Sequence, residues 1–575
     1  MPIDVNFMVG GEAGQGVQSV GFILAKTFAR SGYYVFADQD YENRVRGGHN
    51  FFRIRVSDKE TLAVSTVLDI LIAMNRETIE IHSNELKDNG VIIFDGEQTR
   101  VATQGDSYFD IPLARLAEEA TQNKLMTNTV AVGAAAGLVD CDFDLLAMVL
   151  REVFASQGEQ IAEGNVEAAR TGFKYAREHY KQKMTQALQP TSGTANRMLI
   201  HGNEAMALGA MVAGCRFIAG YPMTPATSIL EYMAGKGSSF NIVAVHVEDE
   251  IAAINMAVGA GYTGVRSMIA TSGGGFSLMV EGLALAGMTE TPVVMVLGQR
   301  PGPATGMPTR TEQGELWFAL HAGHGEFPRA ILAPSTASEA FYATIKAFNL
   351  AEKYQTPVII LTDHHLASSY TLVERFDLKH VKIDRGMLVA DEEIDKITDY
   401  KRHRDTESGI SPWALPLQGK ALVVTDSDEH DEAGHMIEDV ETRNKQNQKR
   451  LRKLNALRTE IDNPRVQQTP DAEFTLIGWG STYGAIKEAA DLLKEEGIAA
   501  NILHLSEIWP FPAETVSSIL DGRARSIVIE NNAMAQMAHL IRRETGRTVD
   551  GSILKFDGRP FSPQYIVDRL KKEAT

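Results

Sequence analysis

Short apolar runs alternate with helix-like stretches over most of the chain. In the first third the runs are rich in β-branched and aromatic residues, and residues 17–30 carry apolar side chains at intervals of three and four. This alternation predicts a wound α/β sheet. The strands predicted for this first unit are 4–9, 34–37, 51–56, 70–74 and 91–95, and charged helical residues near 165–183 close the unit.

Two further α/β units follow from the same pattern. In the middle of the chain, short and nearly continuous apolar runs are typical of buried parallel strands. Towards the end, strands alternate again with a helix-like stretch at 484–497. The predicted strands are 243–247, 267–270, 293–297, 330–333 and 358–362 in the central unit, and 473–477, 500–503 and 525–529 in the last unit.

The pattern therefore predicts a multidomain α/β protein with three wound units. Residues between the central and last units are polar and charged, which predicts an irregular segment followed by a solvated helix that carries Arg450 to Lys453. A stretch rich in Pro, Ser, Thr and Gly predicts a linker after the first unit. The predicted segments are 1–186 (first unit), 187–195 (linker), 196–375 (central unit), 376–465 (polar segment) and 466–575 (last unit).

The central unit has loops suited to ligand binding at one edge of its sheet. Open α/β sheets bind ligands beyond the carboxyl ends of their strands. Most of the predicted central strands precede a loop rich in Gly, Pro, Ser or Thr. The loops that this rule brings around one crevice are 221–225, 248–250, 271–275 and 299–313.

Glu250 is the first candidate for chemistry in this crevice. It stands between an apolar strand and an apolar helix, and its neighbours Ile251 and Ala252 predict that it faces the protein interior, unlike Glu248. A partly desolvated carboxyl group can hold or share a proton near neutral pH. Thiamine diphosphate needs such a group at its aminopyrimidine ring. The alternative is that the acids at 248–250 only stabilise a helix N-terminus.

The 221–225 turn and the 299–313 loop supply further candidates. Thr224 can donate its hydroxyl to a substrate carbonyl or carboxylate, and Pro222 in the same turn is a candidate cofactor contact. Arg310, alone among small residues, can bind a carboxylate through two parallel hydrogen bonds. The alternatives are a rigid turn made by two prolines and a structural ion pair.

A glycine-rich loop at 10–16 follows the first strand and opens a helix. Gly14 and Gly16 in such a loop can expose backbone N–H groups to phosphate. The spacing departs from the dinucleotide fingerprint, because Ser19 stands where the third Gly is expected. Arg44 and Arg46 are candidate phosphate contacts, with a surface turn as the alternative. In an NAD-linked protein, Asp38 or Asp40 would bind the ribose.

Composition excludes several classes of partner. The net charge of −18 argues against nucleic acid and against an anionic membrane surface. No apolar run reaches the roughly 18 residues of a membrane span, and the start lacks signal-peptide features, so we expect a cytoplasmic protein. With Cys141 and Cys215 as the only cysteines, this chain lacks the roughly four thiolates of an iron–sulfur cluster.

Metal binding is also not expected in this chain. The acidic cluster 426–432 with His435 has no recognisable ligand spacing and is typical of a solvated loop. Thiamine enzymes usually hold a divalent metal and the diphosphate with a Gly-Asp-Gly motif followed by Asn, and no Gly-Asp-Gly occurs in the sequence. The chain is therefore predicted to carry the aminopyrimidine half of a thiamine site, while another chain carries the other half.

Four motifs resemble those of the α subunit of 2-oxoacid:ferredoxin oxidoreductases. They are Tyr221-Pro-Met-Thr-Pro225, similar to the family's Tyr-Pro-Ile-Thr-Pro, Glu248-Asp-Glu-Ile-Ala252, Thr271-Ser-Gly-Gly-Gly-Phe276 and Gly306-Met-Pro-Thr-Arg-Thr-Glu-Gln313. Residues 1–186 resemble the family's γ unit, fused in front of the α part. The residues from 466 onward resemble the transketolase C-terminal domain, with Ala535 where Gly is common.

The resemblance implies a reaction and its parts. Glu250 is implied to activate thiamine diphosphate in a pyrimidine-binding fold, Thr224 and Arg310 to contact substrate, and the glycine loop with Arg46 to help cover coenzyme A. A β subunit is implied to carry Mg²⁺, the diphosphate site and a [4Fe–4S] cluster in an (αβ)₂ complex. The 2-oxoacid is decarboxylated, electrons pass singly to ferredoxin, coenzyme A takes the acyl group, and the reverse reaction fixes CO₂.

The identity of the 2-oxoacid is a further expectation. A γ unit fused at the front resembles the 2-oxoglutarate and broad 2-oxoacid enzymes more than the pyruvate type, so 2-oxoglutarate is favoured over a broad-specificity or pyruvate enzyme. A dicarboxylate needs a second cation, which the sequence does not identify. The rival classes are a stand-alone transketolase-type enzyme, which needs its own metal–diphosphate motif, and an NAD-linked protein.

Overall fold

The computed structural model describes residues 2–41, 48–102, 105–182, 186–194 and 196–574. Its contacts divide the chain into two compact units. The first unit contains Met1–Ile200 and Ser368–Arg375, and the second contains His201–Ala367 and Phe376–Thr575. Within the described residues, no helix combines the length and the apolar character needed to traverse a lipid bilayer.

The strands and helices are given in chain order. The strands are β1 (Asp4–Glu12), β2 (Tyr34–Tyr41), β3 (His49–Ser57), β4 (Leu68–Ala73), β5 (Leu86–Phe94), β6 (Tyr108–Asp110), β7 (Met198–His201), β8 (Phe217–Gly220), β9 (Val243–His246), β10 (Ser267–Ser272), β11 (Val293–Gln299), β12 (Ala330–Leu332), β13 (Pro357–Asp363), β14 (Tyr370–Val373), β15 (Arg465–Gln467), β16 (Phe474–Trp479), β17 (Ala500–Leu505), β18 (Glu507–Trp509), β19 (Arg525–Glu530) and β20 (Gly551–Leu554). The α-helices are α1 (Val17–Arg30), α2 (Arg76–His82), α3 (Gly96–Thr99), α4 (Leu113–Thr121), α5 (Thr127–Leu138), α6 (Phe143–Phe154), α7 (Glu159–His179), α8 (Gly202–Val212), α9 (Thr227–Phe240), α10 (Glu250–Tyr262), α11 (Gly273–Met288), α12 (Leu316–His321), α13 (Ala337–Tyr354), α14 (His364–Ser368), α15 (Asp391–Ile394), α16 (Val440–Glu460), α17 (Tyr483–Glu495), α18 (Ala513–Leu520), α19 (Gln536–Thr545) and α20 (Pro563–Ala574).

The first unit is built on an eight-stranded sheet in the order β6-β5-β4-β1-β3-β2-β14-β7. Strands β6, β5, β4 and β1 are parallel, whereas β1, β3, β2 and β14 pair antiparallel. The predicted α/β class is confirmed, and the antiparallel half is an addition to it. The sequence pattern places β7 and β14 in the central segment 196–375. In the structure, both strands belong to the sheet of the first unit.

The central sheet of the second unit has the order β18-β12-β13-β11-β10-β8-β9. Neighbouring strands from β12 to β9 are parallel, and β18 adds antiparallel to β12. Every residue of β10, β11 and β13 is buried, as their apolar runs predict. The prediction for β9 is wrong in one respect, because it is an edge strand with Val243 57% exposed. An apolar run of four residues does not distinguish an edge from a central position.

The third sheet packs into the same core as the central sheet. Its order is β15-β17-β16-β19-β20, and all neighbours except β15 are parallel. Buried residues of both sheets form one hydrophobic cluster, in which Leu297 and Ile331 share the core with Trp479 and Leu503. Loops from the two sheets therefore meet within one unit.

Helix α16 differs from the predicted solvated helix. Its basic residues Lys449, Arg450 and Lys453 are buried rather than exposed. Glu290 lies just beyond the C-terminus of α11, accepts a hydrogen bond of 2.5 Å from Lys449 and forms an ion pair with Lys453. The sequence pattern could not show this, because the opposing carboxylate comes from a segment about 160 residues earlier in the chain.

Candidate active site

The three consecutive acids at 248–250 have different environments at the start of α10. Asp249 is the N-cap, and its carboxylate accepts a hydrogen bond of 2.8 Å from the Ala252 N–H. Glu248 is exposed, whereas Glu250 is only 5% exposed. Helix capping therefore accounts for Asp249 and leaves Glu250 without that explanation. The predicted burial of Glu250 is present in the structure, and its catalytic role stays a prediction.

The Glu250 carboxylate lies against the first turn of α11. A Cβ atom placed on Gly275 would be 2.7 Å from Glu250 Oε1 and closer still to Thr271 Oγ1. Only glycine therefore fits at this position while both side chains keep their places. Among the described residues, the Glu250 carboxylate has no hydrogen bond or ion pair.

Other buried oxygen atoms near the carboxyl ends of the strands also have no partner in the described part of the chain. They are Thr271 Oγ1 and Ser272 Oγ at the end of β10, Thr362 Oγ1 near the end of β13, and Glu315 Oε2. Buried polar atoms in native proteins nearly always form hydrogen bonds. Hydroxyl and carboxyl groups at this edge of the sheet can hydrogen-bond a polar ligand such as an aminopyrimidine ring, so the donor and acceptor chemistry of the crevice fits the predicted cofactor.

The 221–225 turn is fixed by contacts on both sides. The Thr224 carbonyl accepts a 2.7 Å hydrogen bond from Arg300 Nη1, and the Pro225 carbonyl accepts one of 2.7 Å from Asn203 Nδ2. The Met223 methyl carbon lies 3.6 Å from the Cβ position of Gly274, next to Gly275. The turn thus borders the same helix terminus as Glu250. Thr224 is half-buried, while Pro222 is exposed.

Arg310 lies on a loop that is anchored to the third sheet. It is 6% exposed, and its Cβ atom is 3.0 Å from the Cβ position of Gly558. Burial, and then the charge of Arg559, lower the pKa of Arg310 to about 10.

Gln313 provides the anchor of this loop. Its N–H donates to the Asn531 carbonyl at 2.7 Å, its Oε1 accepts from the Asn531 N–H at 3.0 Å, and its Nε2 donates to the Trp479 carbonyl at 2.8 Å. The 299–313 loop is therefore ordered by bonds to another sheet of the same unit.

Glu315 is a site residue that the sequence reasoning missed. Its Oε1 lies close to the backbone of Gly273, the first residue of α11. Burial, and then the nearby charge of Glu312, raise the pKa of Glu315 to about 8, while Arg300 opposes the shift. The signal that could have found it is the one that identified Glu250, because Glu315 also directly precedes an apolar helix.

Ala535, which stands where the resemblance expects Gly, adopts a left-handed conformation. Its φ is 48° at the N-cap of α19. Glycine adopts this conformation without the penalty of about 1 kcal/mol that other residues incur. The left-handed turn is therefore formed here by a residue whose side chain makes it less favourable than Gly would.

The glycine-rich loop of the first unit has the conformation that its glycines allow. Gly14 and Gly16 have φ values of 94° and 76°, and Gly16 is the N-cap of α1. Asp38 forms a two-point ion pair with Arg53, at 2.7 and 3.1 Å, so this acid is already bonded and does not favour the NAD alternative. The predicted phosphate contacts Arg44 and Arg46 lie outside the described residues.

A possible metal-ligand group lies away from this crevice. In the described parts of the chain, Glu290, His403 and His430 place ligand atoms within 4.8 Å of one another. Burial opposes ionisation of Glu290, but Lys449, Lys453 and His403 outweigh it and hold its pKa well below the usual range. The two lysine ammonium groups that pair with the Glu290 carboxylate would repel a metal cation. The arrangement is therefore typical of an internal ion-pair cluster and not of a metal site.

Comparisons with known proteins cover nearly the whole chain. Three family descriptions match: "Pyruvate ferredoxin/flavodoxin oxidoreductase" over residues 6–175, "Pyruvate flavodoxin/ferredoxin oxidoreductase, thiamine diP-bdg" over 208–449, and "Pyruvate:ferredoxin oxidoreductase core domain II" over 472–566. The 2-oxoacid:ferredoxin oxidoreductase subunit alpha of a Sulfolobus species is 34% identical over 99% of this chain and 96% of its own length.

Two further relatives carry the name of a single substrate. The 2-oxoglutarate synthase subunit KorA of Methanothermobacter thermautotrophicus is 35% identical over 65% of this chain and 98% of its own length. The solved 2-oxoglutarate:ferredoxin oxidoreductase of Magnetococcus marinus, with 2-oxoglutarate, coenzyme A and succinyl-CoA bound, has a TM-score of 0.91 and 32% identity over 100% of both chains.

Proposed function

The chain belongs to the 2-oxoacid:ferredoxin oxidoreductase family as an α subunit with a thiamine diphosphate-binding domain, and we propose that its substrate is 2-oxoglutarate. The proposed reaction converts 2-oxoglutarate and coenzyme A into succinyl-CoA and CO₂, with two electrons passed singly to ferredoxin, and it is reversible. The names of the KorA relative and of the Magnetococcus marinus enzyme support this substrate.

The observation that carries the mechanism is the buried Glu250 carboxylate, which has no partner among the described residues. When bound, thiamine diphosphate supplies a carbon nucleophile for the keto carbon of the substrate. We infer that Glu250 holds the proton at the aminopyrimidine nitrogen, because its carboxyl group lies against Gly275 and has no partner among the described residues. Asp249, by capping α10, fixes the position of Glu250.

The other predicted site residues bind and orient. Arg310 is proposed to hold the carboxylate next to the keto group, since a guanidinium offers two parallel donors to a carboxylate. Thr224 is proposed to donate its hydroxyl to the keto oxygen, from a turn whose backbone is fixed by Arg300 and Asn203. Pro222 is proposed as a contact of the cofactor ring.

The parts of the reaction that this chain does not provide are assigned to a β subunit. We propose that the β subunit binds Mg²⁺ and the diphosphate, carries a [4Fe–4S] cluster and forms an (αβ)₂ complex that reduces ferredoxin. Gly14 and Gly16 are proposed to help cover coenzyme A, together with Arg46. The predicted segments 1–186, 196–375 and 466–575 belong to this proposal as its functional divisions, except that β7 and β14, at the two ends of 196–375, pair with the first sheet.

The substrate proposal is tested on the complex of this chain with its co-expressed β subunit. Rates of ferredoxin reduction are measured with 2-oxoglutarate, pyruvate and 2-oxobutyrate in the presence of coenzyme A. We expect the highest kcat/KM with 2-oxoglutarate. Similar kcat/KM values for all three 2-oxoacids would favour the broad-specificity alternative, which is consistent with the generic name of the Sulfolobus relative. If the complex turns over none of the three 2-oxoacids, the proposal is contradicted.

A further inference from the structure

We propose that Arg559 is the second cation of the substrate site, and that Arg310 and Arg559 together hold the two carboxylates of a dicarboxylic 2-oxoacid. This inference rests on the proposed function and names the residue that selects for a dicarboxylate. Arg559 belongs to the loop after β20, in the C-terminal part of the chain, whereas Arg310 belongs to the central part.

The backbone of Arg559 is held in place by several hydrogen bonds. Its carbonyl accepts from Lys555 Nζ at 3.2 Å and from Asn531 Nδ2 at 3.5 Å. Its N–H donates to Asp557 Oδ1 at 3.0 Å. Asn531 also bonds Gln313 through its backbone N–H and carbonyl, so the same residue anchors both loops. Arg559 is thus presented from a fixed loop rather than from a mobile tail.

Direct contact joins this loop to Arg310. The Gly558 carbonyl accepts a hydrogen bond of 3.2 Å from the Thr311 N–H, next to Arg310. Gly558 has a φ of +77°, and a Cβ atom there would lie 3.0 Å from Arg310 Cβ and 3.2 Å from Arg310 Cγ. The absence of a side chain at 558 therefore allows the loop that carries Arg559 to pack directly against Arg310.

The charges of this arrangement point to an anionic ligand. The charge of Arg559 is, after burial, the second cause that lowers the pKa of Arg310, so the two like charges repel each other across this contact. A ligand with two negative charges reverses this repulsion, and guanidinium groups suit carboxylates in particular. A monocarboxylic 2-oxoacid would use only one of the two cations.

The test uses the complex with the co-expressed β subunit and compares Arg559→Ala with the unmodified chain. We expect kcat/KM for 2-oxoglutarate to fall about 10- to 100-fold, as for the loss of a hydrogen bond to a charged group. The values for pyruvate and 2-oxobutyrate and the KM for coenzyme A should stay within about twofold, because a 2-oxoacid without a second carboxylate makes no contact with Arg559.

Two control variants and one binding measurement sharpen this test. Arg559→Lys keeps the charge without the forked geometry and should recover part of the 2-oxoglutarate activity. Arg310→Ala should reduce turnover of every 2-oxoacid. Glutarate, which has both carboxylates and no keto group, should inhibit the unmodified complex competitively and lose this inhibition in Arg559→Ala.

The outcomes separate the inference from the proposed function. One outcome is that the unmodified complex prefers 2-oxoglutarate while Arg559→Ala lowers the rates with all 2-oxoacids equally, or with none of them. In that case the substrate proposal stands and the role of Arg559 is wrong. A selective rise of the KM for coenzyme A would assign Arg559 to a phosphate of that substrate instead and would also overturn it. If the unmodified complex does not use 2-oxoglutarate, both fail together.

Discussion

Glu250 and Glu290 are both buried glutamates of the second unit, at 5% and 0% exposure, but their surroundings are opposite. Glu290 accepts a hydrogen bond from Lys449, forms an ion pair with Lys453 and lies 2.9 Å from His403 Nδ1. Glu250 has no such partner in the described residues. A buried carboxylate that is paired with cations of the same chain stabilises the fold. A buried carboxylate without such partners can still form hydrogen bonds with a ligand.

The largest effect expected from this comparison is on activity. Glu250→Gln should lower kcat about 1,000-fold, in the range for loss of a positioned acid–base group. The melting temperature should stay nearly unchanged, because no described contact of the carboxylate is lost. Ferredoxin reduction and thermal unfolding of the complex measure the two effects. Glu248→Gln, at the exposed neighbour, is the matched control and should keep most of the activity. Equal, mild effects of both substitutions would mean that the two acids only stabilise the helix N-terminus.

The corresponding change at Glu290 should act on stability instead. Glu290→Gln leaves Lys449 and Lys453 without their counter-charge, and breaking a buried ion pair costs about 3 to 5 kcal/mol of unfolding free energy. Urea unfolding measures the loss. Glu80→Gln breaks an exposed ion pair with Arg76 and should cost less than about 1 kcal/mol. A Glu290 variant as stable as this control would remove the contrast between the two acids.

A smaller effect on activity is expected from Gly275→Ala. The added methyl group would lie 2.7 Å from Glu250 Oε1 and closer still to Thr271 Oγ1, so both side chains must shift. A displacement of about 1 Å at a catalytic group can cost roughly 100-fold in rate. Gly274→Ala is the matched control, since its nearest neighbour is 3.6 Å away. The rates of both variants are measured with 2-oxoglutarate as substrate. Equal rates would show that the position of Glu250 does not affect the reaction.

The smallest effect concerns Glu315, an acid whose pKa is raised to about 8 from 4.5. The folded chain keeps a proton that the unfolded chain releases, so stability is highest below pH 4.5, falls as the pH rises towards 8, and is level above. Glu315→Gln cannot ionise and should therefore be more stable than the unmodified chain at pH 9 but not at pH 4.5. Unfolding midpoints at the two pH values test this, and a gain that is the same at both would contradict it.

The sequence predicted local structure better than the partners of each element. Strands β10, β11 and β13 and helix α1 follow from apolar periodicity, which is a local property. Whether a strand lies at an edge, as β9 does, depends on what pairs with it. The burial of α16 depends on Glu290, and the assignment of β7 and β14 to the first sheet depends on backbone pairing across the sequence.

The same division applies to the site. Glu250 was found because its burial follows from its immediate neighbours, Ile251 and Ala252. Glu315 carries a similar local signal but lacked the flanking motif that drew attention to Glu250. Arg559 carries no local signal, since its relation to Arg310 arises only from the contact of Gly558 with Thr311.

Gln313 bonds the 299–313 loop to the third sheet through its backbone N–H and both ends of its side-chain amide. A loop fixed in this way loses its conformational entropy when the chain folds, not when a substrate arrives. Ligands of a preorganised loop bind without an ordering penalty, so a weak anion can be held by few contacts. The dissociation rate of the substrate should then depend on its own charges more than on any opening of the protein.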